Sequence, residues 1–292
     1  MRVVAAVLLI VSLAISVSPA RSRQDAPPAP TPTPAPGRPR IIAELSDLLT
    51  HSPLTACRKN DARVADAPTP LRIATWNIRA AQSAPVEMLG AEMRAMQADL
   101  IALQEVDVRT RRGSFVDEPV ELAKILGFHY VFAASIKWDE GHYGLAVLSR
   151  WPLTEVRRHR LDGSPEAEPR IVLDVTVCAG GRPLRVLNHH ADRRTVSRAL
   201  GFANLSRIIN GDVGRGILVL GDLNEYPDAP GIRSLIDAGF IDLGAADTVN
   251  TVGTGRVDYV LADGPLARLA SPARVWPTDK SDHHAVLADL NW

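Results

Sequence analysis

Several polar residues along the chain are of the types that phosphoryl chemistry needs. Glu105 and Asp282 are hard carboxylate ligands and Asn77 offers an amide oxygen, the donors that Mg2+ or a similar divalent ion takes while keeping several waters. His190, His283 and Asn224 supply donors suited to a phosphate oxygen, and Asp222 is a carboxylate suited to accept a proton from water. Hydrolysis of a phosphate ester needs these parts together, because its barrier falls mainly through charge neutralisation and in-line alignment. Singly, each has a bland explanation: a Glu at a strand end is usually a solvated turn residue, and a lone His a satisfied core or surface side chain. The combination is what carries the argument.

Such side chains require strands to fix them and loops to expose them. From Leu71 onward, short apolar runs bounded by turn signals alternate with helical stretches. "LRIATWNI" reads as a strand ending at Asn77, "PVEMLGAEMRAMQ" as a helix, and "DLIALQEV" as a strand closed by Glu105. "RIVLDVTV" and "PLRVLNHH" form a β-hairpin through the Gly-Gly of "CAGGRP", with His190 and Asp192 following the second strand. "RTVSRALGFANLSRIIN" is helical, and "GILVLGDL" is a strand that delivers Asp222 and Asn224. "RVDYVLA" carries Asp258, and Asp282 and His283 precede the last strand, "HAVLADL". Hairpins mixed with helical crossovers predict an α+β or mixed α/β layered domain.

The whole chain bounds the rest. Its 292 residues suffice for a sizeable core, and a 46% hydrophobic, 23% charged composition is that of a globular body. Basic and acidic residues balance at 33 each, so no global positive charge attracts a polyanion. Residues 1–20 put one Arg before an apolar run and end on small residues, which predicts a signal peptide and export to a secreted or periplasmic location; an uncleaved anchor is the alternative. Residues 21–69 read as a Pro/Ala-rich linker and pre-domain segment, whose "IIAELSDLL" is amphipathic, and 70–292 as the domain. Cys57 and Cys178 either pair in an oxidising compartment or stay free.

Seven motifs in order, "TWNI", "LQEVD", "YGLAVLSR", "LNHHAD", "GDLNEYPD", "RVDYVLA" and "SDHHAV", resemble those of the endonuclease/exonuclease/phosphatase superfamily, the deoxyribonuclease-I-like fold, over about residues 70–292. The resemblance implies a four-layer sandwich, two mixed and mainly antiparallel β-sheets packed face to face with helices outside, and a site at one end. It implies that Asn77, Glu105 and Asp282 serve a metal, Mg2+ with Mn2+ or Ca2+ as alternatives. Tyr143 and Arg170 would meet the substrate phosphate, and Asn188, His189 and His190 match an Asn, variable residue, His pattern, which selects His190. Asp222 would orient or deprotonate water, Asn224 steady the phosphate, and Asp258 hydrogen-bond His283; either Asp222 or the Asp258 and His283 pair is the base. Arg79 stands where several nucleases of the family carry a second acid, Leu145 where many members have Asn, and His284 and Ala285 replace the commoner pair.

The implied activity is a secreted, divalent-metal-dependent phosphoesterase, acting on nucleic acid, phospholipid or sphingomyelin, or a small phosphoester. No obligate protein partner is implied, and a monomer is expected. A non-catalytic binding protein on the same fold would have lost one of Glu105, His190, Asp222, Asn224 or His283, and all are present. "RTRRG" at 109–113 and "DRRTVSR" at 192–198 are local basic clusters with either a nucleic-acid or a solvated-loop reading. "SIKWDEGHYG", with Trp138, could serve as a membrane-reaching loop or pack over a cleft. In a strand beginning near His283, alternation lets only one of the two adjacent histidines face the site. The family register selects His283 and leaves His284 as filler.

Overall fold

The computed structural model of the chain describes residues 46–57, 70–253 and 255–292. The expected signal segment and most of the Pro/Ala-rich linker lie outside the described residues. In chain order come β1 (Leu49–His51), β2 (Leu71–Asn77), α1 (Val86–Met96), β3 (Leu100–Val108), α2 (Glu118–Leu126), β4 (His129–Trp138), β5 (Gly141–Ser149) and β6 (Leu153–Arg160). They are followed by β7 (Ile171–Ala179), β8 (Arg182–His190), α3 (Thr195–Ile209), β9 (Ile217–Asp222), α4 (Pro230–Asp237), β10 (Phe240–Asp242), β11 (Asp258–Asp263), α5 (Gly264–Ala267), β12 (Arg274–Trp276) and β13 (Ala285–Leu290).

The strands make two sheets, ordered β1-β4-β5-β3-β2-β13-β12 and β10-β11-β9-β8-β7-β6. Two neighbouring pairs are parallel, β2 with β3 and β8 with β9, and each is bridged by a helix, α1 or α3, as a parallel crossover requires. One apolar core lies between the sheets, with Leu71, Leu100 and Leu145 facing Leu173, Val186 and Leu218. On the outer face of the first sheet Leu89 and Met93 of α1 and Leu122 of α2 cover Ile101 and Phe132. Phe202 of α3 and Leu235 of α4 cover Leu187 and Val219 on the second. Helix, sheet, sheet and helix layers are therefore stacked, the expected four-layer sandwich. Each large apolar side chain so enclosed contributes about 1.5–3 kcal/mol.

Two observations bear on the segment before residue 70, and a third on the β4–β5 connection. Ser46–Cys57 is part of the sandwich: β1 pairs antiparallel with β4 at the sheet edge, covering backbone groups that would otherwise be unpaired. Its three residues are too few for a period to be seen in "ELSDLLT". Cys57 is disulfide-bonded to Cys178, 121 residues away on β7, which decides between the two thiol alternatives. "SIKWDEGHYG" is the β4–β5 hairpin and not an apolar loop; its tip is Asp139 and Glu140, held by Arg111.

Candidate active site

One end of the sandwich gathers the polar residues from both sheets. Asn77 ends β2 and is fully buried. Its Nδ2 donates to Glu105 Oε1 at 3.0 Å and to Asp222 Oδ2 at 3.1 Å, and its Oδ1 accepts the Arg79 N–H at 3.1 Å. That oxygen serves the backbone, and Asn77 also presents donors that orient two carboxylates. Arg79 keeps this contact from a left-handed turn in which Arg79, Ala80 and Ala81 all have φ near +50° (52°, 49° and 48°).

Glu105 does not close its strand, since β3 continues to Val108. It occupies a bulge, where the pairing with β5 slips between Leu103 and Val106, and its φ is +54°. A bulge re-aims one side chain without ending the strand, at a backbone cost of order 1–3 kcal/mol for a residue in the left-handed region. Nothing in "LQEVD" distinguishes a bulge from an end. Inward from it, Gln104 Nε2 donates to Asn188 Oδ1 at 2.8 Å, and Asn188 Nδ2 donates to the Leu103 and Ala146 carbonyls, so buried amides join the sheets beneath the site.

On the second sheet, His190 of β8 and Asp258 of β11 both stand opposite Asp222 in register. Gly221 makes that register possible: with φ +142°, a Cβ there would lie 1.8 Å from the His189 carbonyl oxygen. Asp222 Oδ1 accepts the Asn224 N–H at 3.0 Å, and Oδ2 lies 3.4 Å from His190 Nε2 and 3.7 Å from His283 Nε2. Burial, with the Asp258 charge second, pushes the Asp222 carboxyl up to about 7. His283 Nδ1 is 2.9 Å from Asp258 Oδ2. Burial alone would lower this imidazole, but the bond to Asp258 and the charges of Asp258 and Asp222 outweigh it and raise it to about 9.

His190 is the opposite case. Burial, then the Arg170 and His189 charges, hold it well below the usual range, and Arg170 Nη1 donates to its Nδ1 at 3.1 Å. The ring is thus neutral with its proton on Nε2, facing Asp222. Arg170 also pairs with Glu168 at 3.0 Å and bonds the buried Tyr143 hydroxyl. Asn224, at φ +48°, donates from Nδ2 to the Ala191 carbonyl. His189 faces away, its Nδ1 3.0 Å from the Ile171 carbonyl. His283 and His284 are separated by loop geometry and not by strand alternation, because β13 begins only at Ala285. His284 turns to the Thr278 backbone, 3.1 Å from its carbonyl oxygen.

These residues line a cavity of about 300 Å³ that includes Glu105, Tyr143, Arg170, His190, Asp222, Asn224, Asp282 and His283. Among the sequence candidates, Asn77 and Asp258 lie beneath them. Arg112, Trp138, Glu168 and Arg193 also line it; the sequence reading offered Trp138 as a membrane-reaching or cleft-covering residue and gave the other three no site role. Arg112 and Arg193 were visible only as members of basic clusters whose other arginines do not line the cavity.

The donor set fits a divalent ion. Glu105 has one described hydrogen bond, from Asn77, and Asp282 is a half-exposed carboxylate on the same cavity, 3.4 Å from Arg79 Nε. Among the described residues, Asp222, Asp258 and His283 also bring ligand-type atoms within 4.8 Å of one another. There the Nδ1 of His283 is already bonded to Asp258, so this trio is better suited to hold a proton than an ion.

Residues 74–283 match the model of the endonuclease/exonuclease/phosphatase family. The chain is 28% identical over 225 residues to the protein YbhP of Escherichia coli K12, covering 68% of this chain and 85% of that one. It is 28% identical over 169 residues to exodeoxyribonuclease III of Haemophilus influenzae, covering 54% and 58%. In structure it resembles an AP endonuclease from Archaeoglobus fulgidus, with a TM-score of 0.59, 20% identity, and coverage of 76% of this chain and 100% of that one.

Proposed function

The chain belongs to the endonuclease/exonuclease/phosphatase family, and on that premise we propose that it is an exported, divalent-metal-dependent phosphoesterase in which water attacks phosphorus in line. The observation that carries this reading is the meeting of Asp222, from one sheet, with the Asn77 and Glu105 pair from the other and with His190 and His283, whose Nε2 atoms lie 3.4 and 3.7 Å from its Oδ2.

Asp222 accepts the proton of the attacking water, its pKa near 7 matching a base that works near neutrality. His283, kept charged by Asp258, and neutral His190 each present an Nε2–H to the phosphoryl oxygens, where developing charge is worth most in a dry site. Asn224 is fixed by Ala191 and offers its second amide N–H, and Tyr143 and Arg170 hold a further phosphate oxygen. Glu105 and Asp282 would hold Mg2+, Mn2+ or Ca2+, which when bound neutralises charge on the phosphoryl group. Export is supported by residues 1–20 and by the Cys57–Cys178 disulfide, since such bonds persist in oxidising compartments.

The test is turnover by the purified protein of p-nitrophenyl and bis(p-nitrophenyl) phosphate, DNA, RNA, sphingomyelin and inositol phosphates. Activity should vanish with a chelator, return with Mg2+, and fall by roughly 100-fold or more in a folded Asp222→Asn variant. No turnover of any ester with Mg2+, Mn2+ or Ca2+ would refute it.

A further inference from the structure

A phosphoesterase reading names the bond and not what the phosphate is attached to. The part of the cavity remote from His283 carries that information. Trp138 of β4 pairs with Gly141 of β5, next to the His142 that faces Val108 of β3, so it stands two strands over from Glu105 and further along the sheet. The cavity of about 300 Å³ reaches from Glu105 to this indole and so extends past the residues assigned to the phosphate.

The chemistry at that end is specific. Arg112 lies over the Trp138 ring, 5.1 Å from its centroid, and buried Asp107 grips its guanidinium through two bonds of 2.7 and 2.8 Å. The indole is thereby fixed on the wall by a cation whose charge is already met. Glu168 and Arg170, 3.0 Å apart, form an adjoining wall. An aromatic face beside a paired carboxylate and guanidinium suits a ring bearing several hydroxyls. Its C–H face packs on the indole, and a neighbouring hydroxyl donates to the carboxylate.

The two competing substrates find less. A polynucleotide needs a track of unpaired cations, yet five of the six arginines in the two basic clusters are paired with acids: Arg109 with Asp117, Arg111 with Asp139, Arg112 with Asp107, Arg194 with Asp192 and Arg198 with Glu225. Arg193 alone among them has no described ion pair. A lipid surface needs an apolar tip, and the β4–β5 hairpin ends in Asp139 and Glu140.

We propose that the substrate is the phosphate ester of a polyhydroxylated, sugar-like ring, with Trp138 as its stacking platform and Glu168 as its hydroxyl acceptor; this rests on the phosphoesterase reading above. With Mg2+ and the purified protein, kcat/KM for a hexose 6-phosphate should exceed that for bis(p-nitrophenyl) phosphate, a single-stranded oligonucleotide or phosphatidylcholine vesicles by roughly tenfold or more. Trp138→Ala and Glu168→Gln should each raise KM for the hexose phosphate roughly tenfold with kcat changed less than about threefold, and Trp138→Phe should recover most of the loss. Release of p-nitrophenol without any advantage for the hexose phosphate overturns the substrate class alone, as does preference for the oligonucleotide or the vesicles. A preference untouched by either substitution overturns the roles of Trp138 and Glu168. No turnover of any ester overturns the phosphoesterase reading and the substrate class together.

Discussion

Asn77 Nδ2, at the end of β2, lies 3.1 Å from Asp222 Oδ2, at the end of β9, so one amide hydrogen bond spans the two sheets beneath the cavity. The same nitrogen holds Glu105. Replacing it by a third carboxylate, Asn77→Asp, would turn two attractive contacts into repulsive ones and drive the Asp222 pKa further up. kcat should fall by roughly 100-fold, with the acidic limb of the pH–rate profile displaced to higher pH. An unmoved limb would contradict the role given to Asn77.

The proton states of Asp222 and His283 set a window. Asp222 must be ionised, which requires pH above about 7, and His283 must stay charged, which holds below about 9. Activity should therefore trace a bell with limbs near those values, which belong to the interacting pair. His283→Gln should abolish the alkaline limb and most of the rate, whereas His284→Ala should leave the rate within a few-fold. Equal loss at both histidines would refute the assignment.

Glu105 pays for its aim with a left-handed backbone, φ +54°. Glu105→Gly should relieve roughly 1 kcal/mol of strain and raise the metal-free melting temperature by about 2–4 °C, while the Mg2+ requirement can no longer be met. A calorimetric scan with chelator, beside a Mg2+ titration by isothermal calorimetry, reads both halves. A variant that melts lower and still binds Mg2+ would contradict them.

Burial raises Glu118 to about 8, with one carboxylate oxygen accepting the Asp107 N–H. Its folded pKa lies above the ordinary value, so its stabilising contribution is complete below about pH 4.5 and is lost as pH rises through about 8. Glu118→Gln should flatten the fall in stability over that range, a difference of a few kcal/mol at most, measured by denaturant melts at several pH values. Parallel pH profiles for the two proteins would exclude it.

The Cys57–Cys178 bond sits far from the chemistry. β7 begins beside Arg170 and carries Cys178 near its other end, about 25 Å along the strand. Reduction, or Cys57→Ser, should therefore cost stability, roughly 2–5 kcal/mol, with kcat unchanged. Parallel loss of kcat at a temperature where the fold survives would tie the N-terminal strand to the site.

Much of this was legible in the residues, because strand-end motifs leave strong local marks. Apolar runs flanked by turn residues delimit β2, β9, β11 and β13. What escaped reading depends on contacts far apart in sequence. Glu105's bulge is defined by slippage against β5, and the direction of the Asn77 amide by the Arg79 N–H behind it. Arg112 and Arg111 are adjacent and chemically identical, and only the buried Asp107 directs one into the cavity and leaves the other at the hairpin tip.

The division of the site between two sheets makes catalysis a witness to folding itself. Asn77, Glu105 and Tyr143 belong to one sheet and His190, Asp222 and Asp258 to the other. A shift of one sheet against the other across their shared core would separate Asp222 from Asn77 and Glu105, so turnover along a denaturation curve should be lost no later than the strands themselves.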